Sequence, residues 1–221
     1  MIIEKTISFL RMNNIFLKFF LKLEGYSYRK IDSLSILVNG GVHPKHEIMK
    51  YHDFFVENIK SGSSVLDIGC GIGAVAFDVA KKAKKVVAVD LDKKNLDIAS
   101  KKFSVKNIEY VYADATTYNF KEKFDYIILS NVLEHIDKRV EFLKKIKKLA
   151  PTILIRVPMI NRDWLTLYKK EMGWPYFSDN GHFTEYTLGT FQEELKEAGL
   201  KIKKYSIQFG EIWAVIKHGG N

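Results

Sequence analysis

With 221 residues, the chain is long enough for one α/β domain with a substantial core and short for two independent ones. Hydrophobic residues at 47% and aromatics at 13% exclude a disordered chain; the single cysteine, Cys70, excludes an internal disulfide framework or a Cys-rich zinc cluster and fits a reducing, cytoplasmic setting. The formal charge of +9 leaves nucleic acid open as a partner without favouring it, because 30 of the 35 basic residues are lysines, scattered in pairs such as Lys81-Lys82 and Lys147-Lys148 that solvate helix surfaces.

In chain order, residues 1–60 read as an N-terminal helical extension or lid and residues 61–221 as the main domain. Met1 to Tyr28 is basic and aromatic-rich, with helical spacing through Ile15, Phe19, Phe20 and Leu23. Lys5, Arg11, Lys18, Lys22 and Glu24 interrupt it too often for the roughly 20 apolar residues that span a bilayer. It also lacks the apolar core and cleavage site of a signal peptide. Peripheral membrane contact and a dimer contact both remain open for this segment, and the oligomeric state is not readable. A second helix is expected from about Pro44 to Lys60, with Ile48, Tyr51, Phe55 and Ile59 on one face and Pro44 in its first turn.

From Ser64 onward, β-rich runs alternate with helical patterns, the signature of a doubly wound parallel sheet. Strands are expected at Ser64 to Ile68, Lys85 to Val89, Ile108 to Tyr112, Phe124 to Leu129 and Thr152 to Val157. Helices are expected at Ala74 to Ala83, Lys93 to Phe103 and Val132 to Leu149, so that each crossover is helical. Pro158 to Tyr186 reads as an irregular Pro/Gly/aromatic stretch. A helix from Thr190 to Ala198 then stops at Gly199. Two last runs, Lys201 to Phe209 and Ile212 to Lys217, lie so close in sequence that they must form an antiparallel hairpin. The fold class is therefore α/β, with a seven-stranded sheet of five parallel strands plus a C-terminal antiparallel hairpin.

The strand Val65 to Ile68 runs straight into Gly69-Cys70-Gly71-Ile72-Gly73 and then into a helix. Glycines there let backbone approach a ligand at the carboxyl edge of the sheet. With Ala74 the loop also satisfies the dinucleotide-binding spacing, which keeps a nicotinamide-dependent oxidoreductase open. Asp67, two residues before the first glycine, suits a pyrophosphate poorly and a ligand bearing an ammonium and a sulfonium well.

This Asp-x-Gly-x-Gly-x-Gly run resembles the first motif of the class I S-adenosylmethionine-dependent methyltransferases, and the likeness extends from Gly62 to Lys217. The resemblance implies a Rossmann-like methyltransferase fold with strand order 3-2-1-4-5-7-6. It implies S-adenosyl-L-methionine as cofactor and S-adenosyl-L-homocysteine as product, with Asp67, Gly69, Cys70, Gly71 and Gly73 around the ligand. Asp90, ending the second strand about 20 residues after the loop, would accept the ribose hydroxyls, and Leu91 would lie along the adenine. Asp92 better suits the amino end of the next helix. Asp114, with Ala115, resembles the family's acid for the adenine amino group; a turn aspartate bonding its own backbone is the plain alternative.

After the fourth strand, Ser130-Asn131-Val132-Leu133-Glu134-His135 resembles the small-molecule branch of the family, the so-called type 11. Ser130 or Asn131 would contact the cofactor, and His135 is the motif-placed candidate for a general base. The run is not the Asn/Asp-Pro-Pro-aromatic motif of amide- and adenine-methylating enzymes, and no cysteine is placed to attack a pyrimidine ring. His182 and Tyr186, in Trp174 to Tyr186, are candidates to bind acceptor or move protons. Asn39 to His46 with Tyr51 and His52 would fold over the cofactor's methionine end, or merely cover the sheet edge. His43, His46, His52 and His182 lack a tight His/Asp pair on one helix face, so no metal is expected. The reading is a methyltransferase acting on an unidentified acceptor, by preference a small molecule or glycan-like metabolite. RNA methylation and a non-catalytic cofactor-binding protein remain alternatives.

Overall fold

A computed structural model describes residues 2–218, with side chains from residue 13 onward. The chain divides into two compact units, one ending at Lys50 and one starting at Tyr51, ten residues before the boundary expected from sequence. The first unit holds helix α1 (Ile2–Val38), uninterrupted by proline, and the short α2 (Lys45–Met49). His43 reaches back to Asp32 of α1, with Nε2 2.6 Å from Oδ1. The single helix expected from Pro44 to Lys60 is broken. Lys50 takes a left-handed φ of 50°, ending α2, and α3 (Tyr51–Asn58) starts anew in the second unit. The apolar face is split accordingly: Tyr51, Phe55 and Ile59 are buried while Ile48 is exposed. No helix of the described residues is long and apolar enough to cross a membrane.

The second unit is built on a seven-stranded sheet in the order β3-β2-β1-β4-β5-β7-β6. Strands β1 (Ser64–Ile68), β2 (Lys85–Asp90), β3 (Ile108–Tyr112), β4 (Tyr126–Ser130) and β5 (Thr152–Pro158) pair in parallel. The hairpin β6 (Leu200–Gln208) and β7 (Glu211–His218) inserts β7 antiparallel beside β5. The central strands are near-continuous β-branched and leucine runs because both faces are covered, and Leu66, Ile127, Leu129 and Ile155 are fully buried. Helices α4 (Ala74–Ala80) and α5 (Lys93–Lys102) make the β1–β2 and β2–β3 crossovers. Strand order reverses between β1 and β4, where the carboxyl ends of neighbouring strands open a crevice.

Three departures from the sequence expectation shape that crevice. The β3–β4 crossover holds turns and no helix, with Thr117 and Tyr118 amides both donating to the Asp114 carbonyl and Phe120 packing on the core. The helix expected from Val132 to Leu149 is a 3₁₀ turn, Leu133–His135, followed by α6 (Arg139–Ile146). Ile136 is extended between them, which lets Leu133 and Glu134 sink to complete burial. The irregular stretch after β5 contains α7 (Trp164–Glu171), capped by Asp163, whose carboxylate accepts from the Thr166 amide at 2.7 Å. Helix α8 (Leu188–Glu197) opens with a capping box between Thr187 and Thr190.

Candidate active site

The loop after β1 is folded onto the end of β2. Gly69, Gly71 and Gly73 all have positive φ, and the amides of Gly69 and Cys70 both donate to the Val89 carbonyl at 2.7 and 3.0 Å. Asp90, only 9% exposed, takes the Gly71 amide at 2.7 Å and the Asp92 amide at 2.8 Å, so one carboxylate holds two loops. Asp92 itself caps α5 through the Lys94 amide. The glycines are not equivalent. A Cβ at Gly73 would meet Tyr110 and Ala99 at 2.9 Å, a Cβ at Gly69 would meet Val132, and one at Gly71 would meet open space. Asp67 is buried with Oδ2 lacking any hydrogen-bond partner; burial, with the Asp90 charge added, pushes its carboxyl up to about 8. Burial likewise pushes the Cys70 thiol up, away from thiolate chemistry.

A cleft of about 870 Å³ opens at the carboxyl ends of β1, β2 and β4. Of the expected cofactor residues, Gly69, Asp90, Leu91, Asp114, Ala115 and Asn131 line it; Asp67, Cys70, Gly71, Gly73, Ser130 and Tyr51 lie outside its lining. Asp114 combines both sequence readings. It borders the cleft, and its Oδ1 accepts from the Thr116 amide and hydroxyl at 2.8 and 2.6 Å, bonds that hold its carboxyl low. The far wall, including Phe142 and Lys145, comes from α6 and was hidden by reading a continuous helix there.

Asn131 sits at φ 55° directly after β4, and its Oδ1 accepts from Arg156 Nε at 3.0 Å. Arg156 Nε also lies 2.9 Å from Glu211 Oε2, and the guanidinium stands 3.8 Å over the Tyr51 ring. Tyr51 therefore meets the site through Arg156, which periodicity had shown only as part of a buried strand. Arg156 Nη1 is buried without a hydrogen-bond partner.

His135 lines the cleft next to Asn131, and the loop after α7 brings His182 against it, ring centroids 4.6 Å apart. His135 Nδ1 is 3.2 Å from the Gly181 carbonyl oxygen; His182 Nδ1 is 3.0 Å from Glu185 Oε1. Glu185 also accepts from Ser178 and pairs with Arg162, which anchors the loop. Burial, then the neighbouring His182, lowers the His135 pKa and favours its neutral imidazole. Glu134 is fully buried with both carboxylate oxygens unpartnered, and burial pushes its carboxyl up to about 8. Tyr186 does not join this group. It is 1% exposed, packs edge-to-face against Phe191, and its hydroxyl donates to Glu194 at 2.6 Å, so it serves the core.

A methyltransferase-domain family model matches residues 42–205, most of the chain. The chain is similar to the (S)-coclaurine N-methyltransferase of Papaver somniferum, 38% identical over 103 residues that cover 43% of this chain and 29% of that protein. It is similar to the ubiquinone biosynthesis O-methyltransferase of Rickettsia bellii, 29% identical over 119 residues, 50% of each chain. The matches span about a quarter to a half of these curated relatives' own length. Among solved structures, an S-adenosylmethionine-dependent methyltransferase from Clostridium acetobutylicum superposes with a TM-score of 0.63 at 19% identity, over 88% of this chain and 100% of that one. At that identity the likeness is one of fold.

Proposed function

This chain belongs to the methyltransferase-domain family, and we propose that it binds S-adenosylmethionine in the cleft and passes its methyl group to a small-molecule acceptor. The observation that carries this reading is Asp90, a nearly buried carboxylate that grips the glycine loop and borders the cleft. Two amides occupy two of the roughly four lone-pair sites of a carboxylate, which leaves capacity for the paired hydroxyls of a ribose. The residues fit the cofactor. Gly69, Asp90, Leu91, Asp114, Ala115 and Asn131 line one cleft, and its volume falls within the roughly 300–1,000 Å³ usual for ligand sites.

Bound there, S-adenosylmethionine would supply a sulfonium-activated methyl group. Leu91 would support the adenine face, Asp114 and the Ala115 backbone its polar edge, and Gly69 would admit backbone close to the ligand. Asn131, oriented by Arg156, would position the methionine end. His135, whose pKa is lowered by partial burial and by the neighbouring His182, would take the acceptor's proton on Nε2 while the Gly181 carbonyl holds Nδ1. Because the methyl group is already activated, these residues contribute chiefly by placing acceptor and donor together. Small-molecule acceptors are favoured because the relatives are named for N- and O-methyltransfer on such compounds.

Calorimetric titration with S-adenosylhomocysteine and, separately, NADH tests the reading on wild type and Asp90→Ala. Only the first ligand should bind, weakened at least tenfold in the variant, about 1.4 kcal/mol. NADH binding, or wild-type affinity in Asp90→Ala, would overturn it.

A further inference from the structure

Glu134, His135 and His182 each offer one ligand-type atom, and these atoms all lie within 4.8 Å of one another. We propose that these three side chains form a binding site for a divalent transition-metal cation at the edge of the cleft. Its position beside an acceptor rests on the proposed function; the site itself stands on its own geometry.

The first support is Glu134. A fully buried carboxyl with no donor to either oxygen costs several kcal/mol if ionised and is a misfit in a packed core. Arg156 is the nearby cation by charge, yet its Nε donates to Asn131 and pairs with Glu211, and its Nη1 makes no hydrogen bond to Glu134. A metal ion would give the carboxylate the partner that the protein withholds.

The second support is the orientation of the imidazoles. A carbonyl or carboxylate oxygen can only accept, so the bonds to Gly181 and Glu185 place the proton of each ring on Nδ1. In the neutral form of each ring this leaves the Nε2 lone pair available to a ligand. Metal-ligating histidines are oriented by this arrangement, the non-ligating nitrogen donating to a backbone carbonyl or a carboxylate. Glu185 is in turn fixed by Ser178 and Arg162, so the outer partner is itself held. Two imidazoles and one carboxylate suit Zn²⁺ or Mn²⁺ better than a purely oxygen-seeking ion.

Ligands about one ion at about 2.0–2.2 Å stand roughly 3.0–3.5 Å apart, so side-chain shifts on the order of 1 Å would close the site. Three protein ligands leave coordination positions open, and His135 faces the cleft. The open positions would thus suit an oxygen of the acceptor, such as a phenol or other hydroxyl, whose acidity a cation raises; with the cation bound, His135 Nε2 is a ligand and no longer the acceptor of that proton.

The test uses full-length, untagged protein stripped with a chelator. Zn²⁺ and Mn²⁺ are titrated by calorimetry, and Co²⁺ by its visible absorption, with Mg²⁺ for comparison. The expectation is about one transition-metal ion per chain, bound at least tenfold more weakly by His182→Gln and by Glu134→Gln, with unchanged near-ultraviolet circular dichroism. Should either variant fail to fold, selective broadening of the His135 and His182 ring signals of wild type by Mn²⁺ decides the matter. Absence of stoichiometric binding, wild-type affinity in both folded variants, or no selective broadening would overturn the site. S-adenosylhomocysteine titrated into the same metal-free sample keeps the two readings apart. A sample that binds S-adenosylhomocysteine but no cation overturns only the metal site, and one that binds a cation but no S-adenosylhomocysteine overturns only the cofactor assignment.

Discussion

Gly69→Ala isolates the contact that sets the glycine loop against the end of β4. At φ 69° an L-residue pays about 1–2 kcal/mol for the left-handed conformation. The new Cβ would also stand 2.5 Å from Val132 Cγ2, closer than carbon atoms pack. Val132 cannot swing away freely, because it is β-branched and its neighbour Asn131 is tied to β5 by the bond from its amide to the Arg156 carbonyl at 2.9 Å. Overpacking of this kind costs about 1–3 kcal/mol, so the variant should lose about 2–5 kcal/mol altogether. Val132→Ala removes the obstructing methyls, and the double variant should recover the overpacking part, a coupling of about 1–3 kcal/mol. Urea unfolding of wild type, both single variants and the double variant measures it. Gly71→Ala is the control: its φ of 53° carries the backbone cost but its Cβ meets nothing within 4 Å, so about 1–2 kcal/mol is expected. Additivity of Gly69→Ala and Val132→Ala within about 0.5 kcal/mol would refute the packing argument.

Asp67 and Glu134 both have carboxyls raised to about 8 by burial. The unfolded chain loses these protons near pH 4 while the folded one keeps them. Their contribution is therefore fully present below about pH 4 and lost as pH rises through about 8. The melting temperature of the ligand-free, metal-free protein should fall from pH 5 to pH 9, with a shallower slope in Asp67→Asn; a rising profile would contradict the burial of these acids. Tyr186→Phe should cost about 1–2 kcal/mol of stability, through the lost bond to Glu194, with turnover changed less than about twofold. A hundredfold loss of turnover without instability would make Tyr186 a proton carrier after all.

Strand β1, the glycine loop and Asp90 were legible in the sequence because each depends on its immediate neighbours. A β-branched run bounded by glycines becomes a buried parallel strand wherever both its faces are covered, and a loop requiring positive φ declares itself by its residue types. The hairpin was legible for the same reason, since two adjoining β-runs permit no crossover. Asp163 before α7 was a readable signal that the aromatic composition around it obscured. Periodicity did not reveal the extended Ile136 that breaks the helix after β4, because the break answers the burial of Leu133 and Glu134 under the sheet.

Nor could spacing show that the carboxylate of Glu134 would be left without a donor, or that a loop 46 residues downstream would lay its carbonyl on His135. The sequence by itself determined the strand order's raw material, the glycine loop and the acid that ends β2, which are matters of backbone conformation and local chemistry. Tertiary structure alone decided which histidines meet, which acids are stranded from solvent, and that Tyr186 belongs to the core. Those outcomes depend on how distant segments exclude water from one another, and no local pattern encodes that.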